Sequence, residues 1–297
     1  METVLSTHQL SKQYGRLKAV DKLDLSVPKG SVFGILGPNG SGKTTTLGML
    51  LDVIQPTGGS YDWFGKPGSK EQRKKIGAIL ETPIFYPYLS AVKNLEVVAL
   101  IKEVSKDRIP QVIEQVGLSE RQHDKYRTYS LGMKQRLSIA SALLCDPEVM
   151  ILDEPTNGLD PQGIADIRQL IINIANEGKT IVLASHLLDE VQKVCTDFAV
   201  LKNGTLIYTG KVEDVEKGES KVIVKAEENL ENTLANCPLV QGHIPSTNGR
   251  FEVTMVTGKT SADLNKYLFD KQVIVSHLET QTKSLEKQFL ELLNENK

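Results

Sequence analysis

The stretch GPNGSGKT, which begins at Gly37, has the residue types and the spacing of a phosphate-binding loop. Its glycines, Gly37, Gly40 and Gly42, allow backbone N–H groups to curl around phosphate oxygens with no Cβ in the way. Lys43 supplies a positive charge for the β- and γ-phosphates, and Thr44 supplies a hydroxyl for Mg²⁺. The stretch therefore predicts a nucleoside triphosphate site.

Two acids and a histidine follow later apolar runs. Asp153 and Glu154 come after VMIL, and His186 comes directly after TIVLAS. Because the carboxyl ends of parallel strands face the ligand crevice, we expect these three side chains near the phosphates. Asp153 is suited to holding Mg²⁺, and Glu154 is suited to polarising a water for attack on the γ-phosphate. His186 is suited to donating a hydrogen bond to the γ-phosphate.

A second stretch, YSLGMKQR, has the pattern of a loop that turns into a helix. Ser130 and Gly132 stand at the helix start, and KQRLSIASAL continues with amphipathic spacing. The N–H groups at a helix start bind anions. The sequence thus contains two candidate anion sites, and these residues alone do not say what the second is for.

The segments around these motifs indicate an α/β fold. VFGIL has the pattern of a buried strand before the phosphate loop, and TTTLGML has that of the following helix. VMILDEP and KTIVLASH supply further strands, which predicts a parallel core sheet. Residues 3–28 indicate antiparallel strands that end at Pro28 and Gly30, and residues from about 88 to 140 have a helical pattern.

The last part of the chain is predicted to form a separate domain. EDVEKGESK has the composition of a charged linker, so we divide the chain into residues 1–215 and 216–297. KVIVKA, RFEVTMV and QVIVSHLET predict strands, and LENTLANC, SADLNKYL and SLEKQFLELLNEN predict helices. The prediction is a small α+β domain in which we identify no catalytic constellation.

Composition and charge are those of an ordinary globular protein. The 297 residues are 40% hydrophobic and 24% charged, and a net charge of −2 gives no basic field that would favour nucleic acid. Cys145, Cys195 and Cys237 lack metal-ligand spacing, which predicts reduced thiols. The first ten residues have neither the basic flank nor the apolar run of a signal peptide, and no apolar run is long enough to span a bilayer.

The order of the motifs resembles that of the nucleotide-binding subunit of an ATP-binding cassette (ABC) transporter. The resemblance covers about residues 1–215 and rests on the phosphate loop, YSLGM, LDEPTNGLD and His186 in that order. It implies a P-loop NTPase core with a parallel sheet, an antiparallel β subdomain and a helical subdomain. It also implies ATP and Mg²⁺ as ligands and a second cassette as dimer partner. A membrane permease on a separate chain would place the subunit on the cytoplasmic face of the cell membrane, with no nucleic acid expected.

The resemblance also implies roles for individual residues. In that family the stretch matching YSLGM closes over the γ-phosphate held by a second subunit, so Ser130 and Gly132 would complete a neighbour's ATP site. Tyr14 would stack on adenine, Asp160 would organise contacts across the dimer, and His186 would sense the γ-phosphate. The residues expected at the nucleotide are Tyr14, Gly37, Pro38, Asn39, Gly40, Ser41, Gly42, Lys43, Thr44, Thr45, Glu81, Ser130, Gly132 and Asp160.

Four positions depart from the family pattern. Tyr129, Leu131 and Met133 replace the leucine, the first glycine and the glutamine of the usual LSGGQ. Glu81 stands where glutamine is usual; a carboxylate can approach Mg²⁺ directly but cannot donate a hydrogen bond to phosphate. Glu81 and the stretch SLGMKQRL resemble the corresponding residues of the export subfamily of bacitracin and lantibiotic self-protection. Alternatively, Glu81 reflects drift in a tolerant loop.

The resulting hypothesis is an ATPase subunit that drives export of a drug, an antimicrobial peptide or a lipid-like substrate. Two alternatives stay open. One is a soluble ABC-type ATPase acting on ribosomes or DNA, although this chain has one cassette, no heptad run and no basic tract. The other is an importer ATPase of similar build.

Overall fold

The computed structural model describes residues 2–80, 85–216, 221–226, 230–256 and 258–281. Its contacts divide the chain into two compact units, Met1–Gly210 and Lys211–Lys297. We predicted the boundary after residue 215, which falls inside the helix Val212–Glu216. The difference arises because part of the predicted charged linker folds as a helix.

The first unit alternates strands and helices. Its strands are β1 (Thr3–Tyr14), β2 (Leu17–Leu23), β3 (Ser26–Pro28), β4 (Val32–Leu36), β5 (Gly58–Trp63), β6 (Lys66–Pro67), β7 (Ile76–Ile79), β8 (Val149–Asp153), β9 (Thr180–Ser185), β10 (Asp197–Lys202) and β11 (Thr205–Lys211). Its α-helices are α1 (Lys43–Leu50), α2 (Lys70–Arg73), α3 (Ala91–Lys102), α4 (Ile109–Gln115), α5 (Leu131–Leu143), α6 (Pro161–Asn176) and α7 (Leu188–Val194).

The central sheet has six strands in the order β11-β10-β4-β9-β8-β7. The pairs from β10 to β7 are parallel, and every residue of β4, β8 and β9 is buried, as expected for strands covered on both faces. The register places Leu36 beside Ser185 and Asp153 beside Ala184. The phosphate loop, the two acids and His186 therefore leave the sheet at one edge, and the predicted α/β core is confirmed.

An antiparallel sheet in the order β2-β1-β5-β6, with β3 paired to β1, lies in the same unit. Trp63 at the end of β5 is fully buried and donates its indole N–H to the backbone oxygen of Leu50 at 3.0 Å. Since a buried indole N–H needs an acceptor, this bond ties the antiparallel sheet to the end of α1. The C-terminal end of the helix that follows the phosphate loop is thus held against the antiparallel sheet.

Helices α3, α4 and α5 lie between β7 and β8 in the chain and pack against one another as a helical subdomain of the first unit. Helix α4 buries Ile109, Val112 and Ile113, which have helical spacing. The chain turns at Gly117, whose φ of +68° favours glycine. Ser90 and Ser130 begin α3 and α5, and each accepts a hydrogen bond from the backbone N–H three residues later.

The second unit contains α8 (Val212–Glu216), β12 (Lys221–Ala226), α9 (Leu230–Ala235), β13 (Val240–Pro245), β14 (Phe251–Met255), α10 (Ser261–Asp270) and β15 (Val275–Gln281). Its sheet has the order β13-β14-β12-β15, with every neighbouring pair antiparallel. From β12 onward this is the β-α-β-β-α-β arrangement of ferredoxin-like domains. Val222 and Val224 of β12 pack with Leu264 and Leu268 of α10 in a core of this unit.

The α+β prediction for this unit missed one strand. Strand β13, VQGHIP, contains glycine, histidine and proline in place of alternating β-branched residues, which is why its sequence carries little strand signal. The predicted helix at 284–296 lies outside the described residues. Among the described helices, none combines the length and the apolar character that crossing a membrane requires.

Candidate functional site

The phosphate loop runs from the end of β4 into the first turn of α1. Gly40 and Gly42 have φ values of +80° and +101°, which side chains with a Cβ rarely adopt. A Cβ on Gly42 would lie 2.4 Å from the carbonyl oxygen of Ala19, and one on Gly37 would lie 2.4 Å from that of Leu201. Glycine is therefore required at Gly37 and Gly42 because the backbone is closely surrounded.

A turn between β10 and β11 braces the loop. The N–H of Gly204 donates to the carbonyl oxygen of Ser41 at 3.1 Å, and the carbonyl of Gly204 accepts from the N–H of Asp21 at 2.8 Å. This contact was not predicted from the sequence. The Asn203-Gly204 pair is a hairpin-turn signal, but nothing in the local sequence indicates what the turn packs against.

Lys43 is buried and points back into the loop. Its Nζ donates to the carbonyl oxygens of Gly37 at 2.7 Å and Pro38 at 3.3 Å. It also lies 3.4 Å from Oε1 of Glu154. The lysine thus joins the phosphate loop to the acid that follows β8.

Thr44 and Asp153 are in direct contact. The Thr44 hydroxyl donates to Oδ2 of Asp153 at 2.6 Å, and the carboxylate is buried at the end of β8. The structure therefore places two oxygen ligands of the kind that Mg²⁺ prefers side by side at the first turn of α1.

Glu154 and His186 form a hydrogen-bonded pair. Oε2 of Glu154 lies 2.8 Å from Nδ1 of His186 and also accepts the backbone N–H of His186 at 3.4 Å. The backbone of Glu154 has a φ of +47°, and its N–H donates to the carbonyl of Ala184 at 2.9 Å. Lys43, Glu154 and His186 are thus joined in one chain of contacts at the edge of the sheet.

A hollow beside the loop is lined by Tyr14, Leu17, Lys18, Ala19, Asn39, Gly40, Gly42, Lys43, Thr44, Thr45, Glu154 and Asn203. Tyr14 is half exposed, and Nζ of Lys12 lies 4.9 Å from the centroid of its ring. Pro38 and Ser41 belong to the loop but do not line the hollow, and the Ser41 side chain is buried. Residues from β2 and the β10–β11 turn line the hollow although no motif predicted them.

A second hollow contains the predicted helix start of YSLGM. It is lined by Gly117, Leu118, Arg121, Ser130, Leu131, Gly132, Met133, Arg136, Gly158, Leu159, Asp160, Gln162, Gly163, Asp166 and Ile167. Among these, Asp160 begins α6 and accepts the N–H of Gly163 at 2.8 Å. The two hollows share no lining residue in the part of the chain that the structure describes.

Tyr129, one of the departures from the usual motif, anchors the loop before α5. Its side chain is buried, and its hydroxyl donates to the carbonyl oxygen of Arg121 at 2.7 Å. Burial raises the pKa of the Tyr129 phenol, so the hydroxyl stays a donor. Leu131 and Met133, two further departures, line the second hollow, whereas Glu81 lies outside the described residues.

Comparison with known proteins gives the family. The family model described as "ABC transporter" matches residues 20–157. The ABC transporter ATP-binding protein YhcH of Bacillus subtilis is 39% identical over 100% of this chain and 98% of its own length. The chain belongs to the family of ABC transporter ATP-binding proteins. The predicted resemblance is therefore confirmed, and this ABC ATP-binding subunit is an ATPase whose ligand is ATP.

Two further relatives carry names that describe a transport role. The bacitracin transport ATP-binding protein BcrA of Enterococcus faecalis is 41% identical over 74% of this ABC subunit and 73% of its own length. The lantibiotic transport ATP-binding protein SrtF of Streptococcus pyogenes is 40% identical over 70% of this chain and 89% of its own length.

Solved structures of ABC cassettes share the fold. The structure of cbiO1 from Clostridium perfringens, part of the ABC transporter complex cbiONQ, is 28% identical, with a TM-score of 0.66 over 72% of this chain and 91% of that one. A dimeric cassette MJ0796 bound to ADP and Pi is 25% identical, with a TM-score of 0.61 over 70% of this chain and 98% of that one. The P-loop NTPase fold predicted for the first unit is confirmed.

Proposed function

We propose that ATP is hydrolysed in the hollow between Tyr14 and Glu154, with Glu154 as the general base. The observation that supports this proposal is the position of the Glu154 carboxylate. Its oxygens lie 3.4 Å from Nζ of Lys43 and 2.8 Å from Nδ1 of His186. ATP phosphates compete with Glu154 for Lys43, so binding frees the carboxylate to accept a proton from the attacking water. In its protonated form, His186 then orients that carboxylate through Nδ1–H and donates toward the γ-phosphate through Nε2–H.

We also propose that Thr44 and Asp153 hold Mg²⁺. Their oxygens already lie together at the start of α1, and hydroxyl and carboxylate oxygens are ligands that suit this ion. In the described part of the chain no group of three or more His, Cys, Asp or Glu residues is arranged to hold a metal. This fits an ion that takes most of its ligands from phosphate and water. When bound, Mg²⁺ neutralises charge on the β- and γ-phosphates.

We propose further that the second hollow receives the nucleotide of a second cassette. Ser130 and Gly132 offer a helix start to the solvent, and Asp160 lies at the start of α6 beside them. The support is that none of the described residues lining this hollow also lines the ATP hollow, so a nucleotide bound in the ATP hollow of the same chain leaves this helix start open to an anion. The second cassette is an identical or homologous chain.

The proposed physiological role is export of an antimicrobial peptide or a chemically similar substrate through a permease on a separate chain. The relatives named for bacitracin and lantibiotic transport support this role. The subunit would lie on the cytoplasmic face of the membrane, where the permease holds it. None of the relatives named above is described as acting on ribosomes or DNA.

The assignment of the base is tested by Glu154→Gln. Because the amide cannot accept the proton of water, kcat should fall roughly 10²- to 10⁴-fold while ATP binding is retained. Glu148→Gln is the matched control. Glu148 directly precedes the first residue of β8, at the other end of the strand from Glu154, and its Oε1 lies 2.8 Å from Nζ of Lys75. Undiminished turnover in Glu154→Gln would reject the assignment.

The transport role is tested by capture from membranes. Tagged Glu154→Gln protein, locked with ATP and Mg²⁺, should retain a multi-span membrane chain that mass spectrometry identifies. Recovery of ribosomal or DNA-repair proteins alone would contradict the role. Deleting the gene for this chain distinguishes export from import. If the chain drives export, the cells should tolerate less bacitracin or lantibiotic. Loss of an importer would leave that tolerance unchanged and reduce uptake of a solute.

A further inference from the structure

Glu190, in the first turn of α7, is a buried acid that the proposed mechanism does not use. It is 4% exposed, and both of its oxygens accept hydrogen bonds from hydroxyl groups. Thr156 donates to Oε1, and Ser185 donates to Oε2 at 2.9 Å. A buried carboxylate is costly unless it is hydrogen-bonded, so this pair of bonds accounts for its stability there.

These two bonds join the segments that carry the base and the histidine. Thr156 lies two residues after Glu154, and Ser185 directly precedes His186. The Ser185 hydroxyl also accepts the N–H of Leu187 at 3.0 Å, which fixes the backbone on the far side of His186. The Glu190 carboxylate is therefore a clamp between the turn after β8 and the turn after β9.

The backbone at Glu154 needs such a restraint. A residue other than glycine with a φ of +47° occupies a sparsely populated conformation that persists only where the surroundings impose it. The N–H of Asn157 donates to the carbonyl of Glu154 at 3.1 Å, closing a turn that contains Thr156. Holding Thr156 therefore holds the turn that aims the Glu154 side chain.

We propose that Glu190 is a positioning residue that sets the geometry of the Glu154–His186 pair through Thr156 and Ser185. The inference rests on the proposed role of Glu154 as the base. Residues that bind the nucleotide, such as Tyr14, Lys43 and Thr44, lie on other segments. Loosening the clamp therefore lowers kcat and leaves the KM for ATP nearly unchanged.

The test compares two threonine substitutions of the same kind. Thr156→Val removes the bond to Glu190, whereas Thr7→Val removes a buried hydroxyl in β1 that donates to the carbonyl of Leu23 at 2.7 Å and accepts the N–H of Leu25 at 2.8 Å. Both should lower Tm by similar amounts. Only Thr156→Val should lower kcat, by about 10- to 100-fold, since a small misplacement of a reacting group has effects of that order. The KM for ATP should stay within about threefold.

Two further variants test whether the Thr156 hydroxyl acts through Glu154. Thr156→Ser retains the hydroxyl and should restore most of kcat, which a purely structural role for the threonine methyl would not do. In a Glu154→Gln background, Thr156→Val should change the residual rate by no more than about twofold, because the group that it positions is gone.

The outcomes separate this inference from the proposed function. If Glu154→Gln turns over ATP like the parent, the base is wrongly assigned and the clamp has nothing to position. If Glu154→Gln is slow but Thr156→Val loses no more kcat than Thr7→Val, the base stands and the clamp alone is overturned. A KM for ATP that rises in step with the loss of kcat would also overturn it.

Discussion

Two helix starts in the first unit offer backbone N–H groups of the kind that bind anions, and they differ in what surrounds them. At α1, Lys43 and Thr44 stand in a braced loop with Asp153 and Glu154 within contact distance. At α5, the helix start offers Ser130 and exposed backbone. The first site thus combines N–H groups with a cation and acids, whereas the second offers N–H groups and a hydroxyl.

Both arginines that line the second hollow are paired with acids. Arg136 lines that hollow but donates to Asp166 at 2.7 Å and to the carbonyl of Val116 at 3.1 Å. Arg121 pairs with Asp124. The two starts therefore differ in the kind of group beside them: a lysine, a threonine and two acids at α1, and two arginines paired with acids at α5. These surroundings fit our proposal that the second start is a half-site that closes over an anion held by another subunit.

The largest expected contrast is between glycines at the two sites. Gly42→Ala introduces a Cβ at a φ of +101° and 2.4 Å from the carbonyl of Ala19, so the phosphate loop has to deform. ATP affinity should fall by more than about 100-fold, a loss of roughly 2.7 kcal/mol. Gly132→Ala meets no atom within 4 Å and should leave ATP binding to the isolated subunit unchanged. Calorimetric titration with Mg²⁺ withheld measures both.

Gly40→Ala is the control for backbone strain alone. Its φ of +80° disfavours alanine, but a Cβ there meets nothing within 4 Å. Its loss of affinity should lie between those of the other two variants. Equal losses for Gly42→Ala and Gly132→Ala would contradict the distinction between a complete site and a half-site.

An intermediate effect is expected from the serines that begin α3 and α5. Ser130 accepts the N–H of Met133 at 3.2 Å, and Ser90 accepts the N–H of Lys93 at 3.3 Å. Replacing either by alanine should cost about 1 kcal/mol of stability through the lost cap. Only Ser130→Ala should also lower kcat, by roughly 10- to 100-fold. It removes the hydrogen bond that we propose between the Ser130 hydroxyl and the charged γ-phosphate of the second cassette's nucleotide.

Chemical denaturation and steady-state turnover, measured on the same samples, separate the two effects. Ser90→Ala controls for loss of a cap in the same unit. If both variants lose stability and neither loses turnover, Ser130 acts only as a helix cap and the half-site interpretation is wrong.

Much of the molecule could be predicted from short stretches of sequence. The apolar runs of β4, β8 and β9 are fully buried strands, and the motifs at their carboxyl ends therefore had to lie at one edge. The residue pattern of the phosphate loop pointed to Lys43 and Thr44, and the position after an apolar strand pointed to Asp153. The structure places Thr44 in contact with Asp153, and the roles of these three residues stay predictions.

Contacts between distant segments were not predictable in this way. Glu190 lies in SHLLDEV, where an acid in the first turn of a helix has the pattern of an ordinary exposed residue; its burial depends on Thr156, 34 positions earlier in the chain. The brace from Gly204 to Ser41 likewise depends on where a turn packs. Strand β13 was missed because its pairing with β14, rather than its composition, makes it a strand.

The smallest effect is expected from two exposed leucines that line different hollows. Leu17 lies in the ATP hollow, and Leu131 lies in the second hollow beside Gly158. Leu17→Ala should weaken ATP binding to the isolated subunit by about two- to fivefold, because it removes apolar surface that the bound nucleotide would cover. Leu131→Ala should leave that affinity unchanged.

The effect of Leu131→Ala should appear only when two cassettes meet. Leu131 is 47% exposed, so its loss should cost the isolated subunit little stability, whereas any contact that it makes with a second subunit is lost. We therefore expect the protein concentration that gives half-maximal turnover to rise by about two- to threefold for Leu131→Ala. For Leu17→Ala, the shift should instead appear in the dependence on ATP concentration. A change in the monomer's ATP affinity in Leu131→Ala would mean that the two hollows are coupled within one chain.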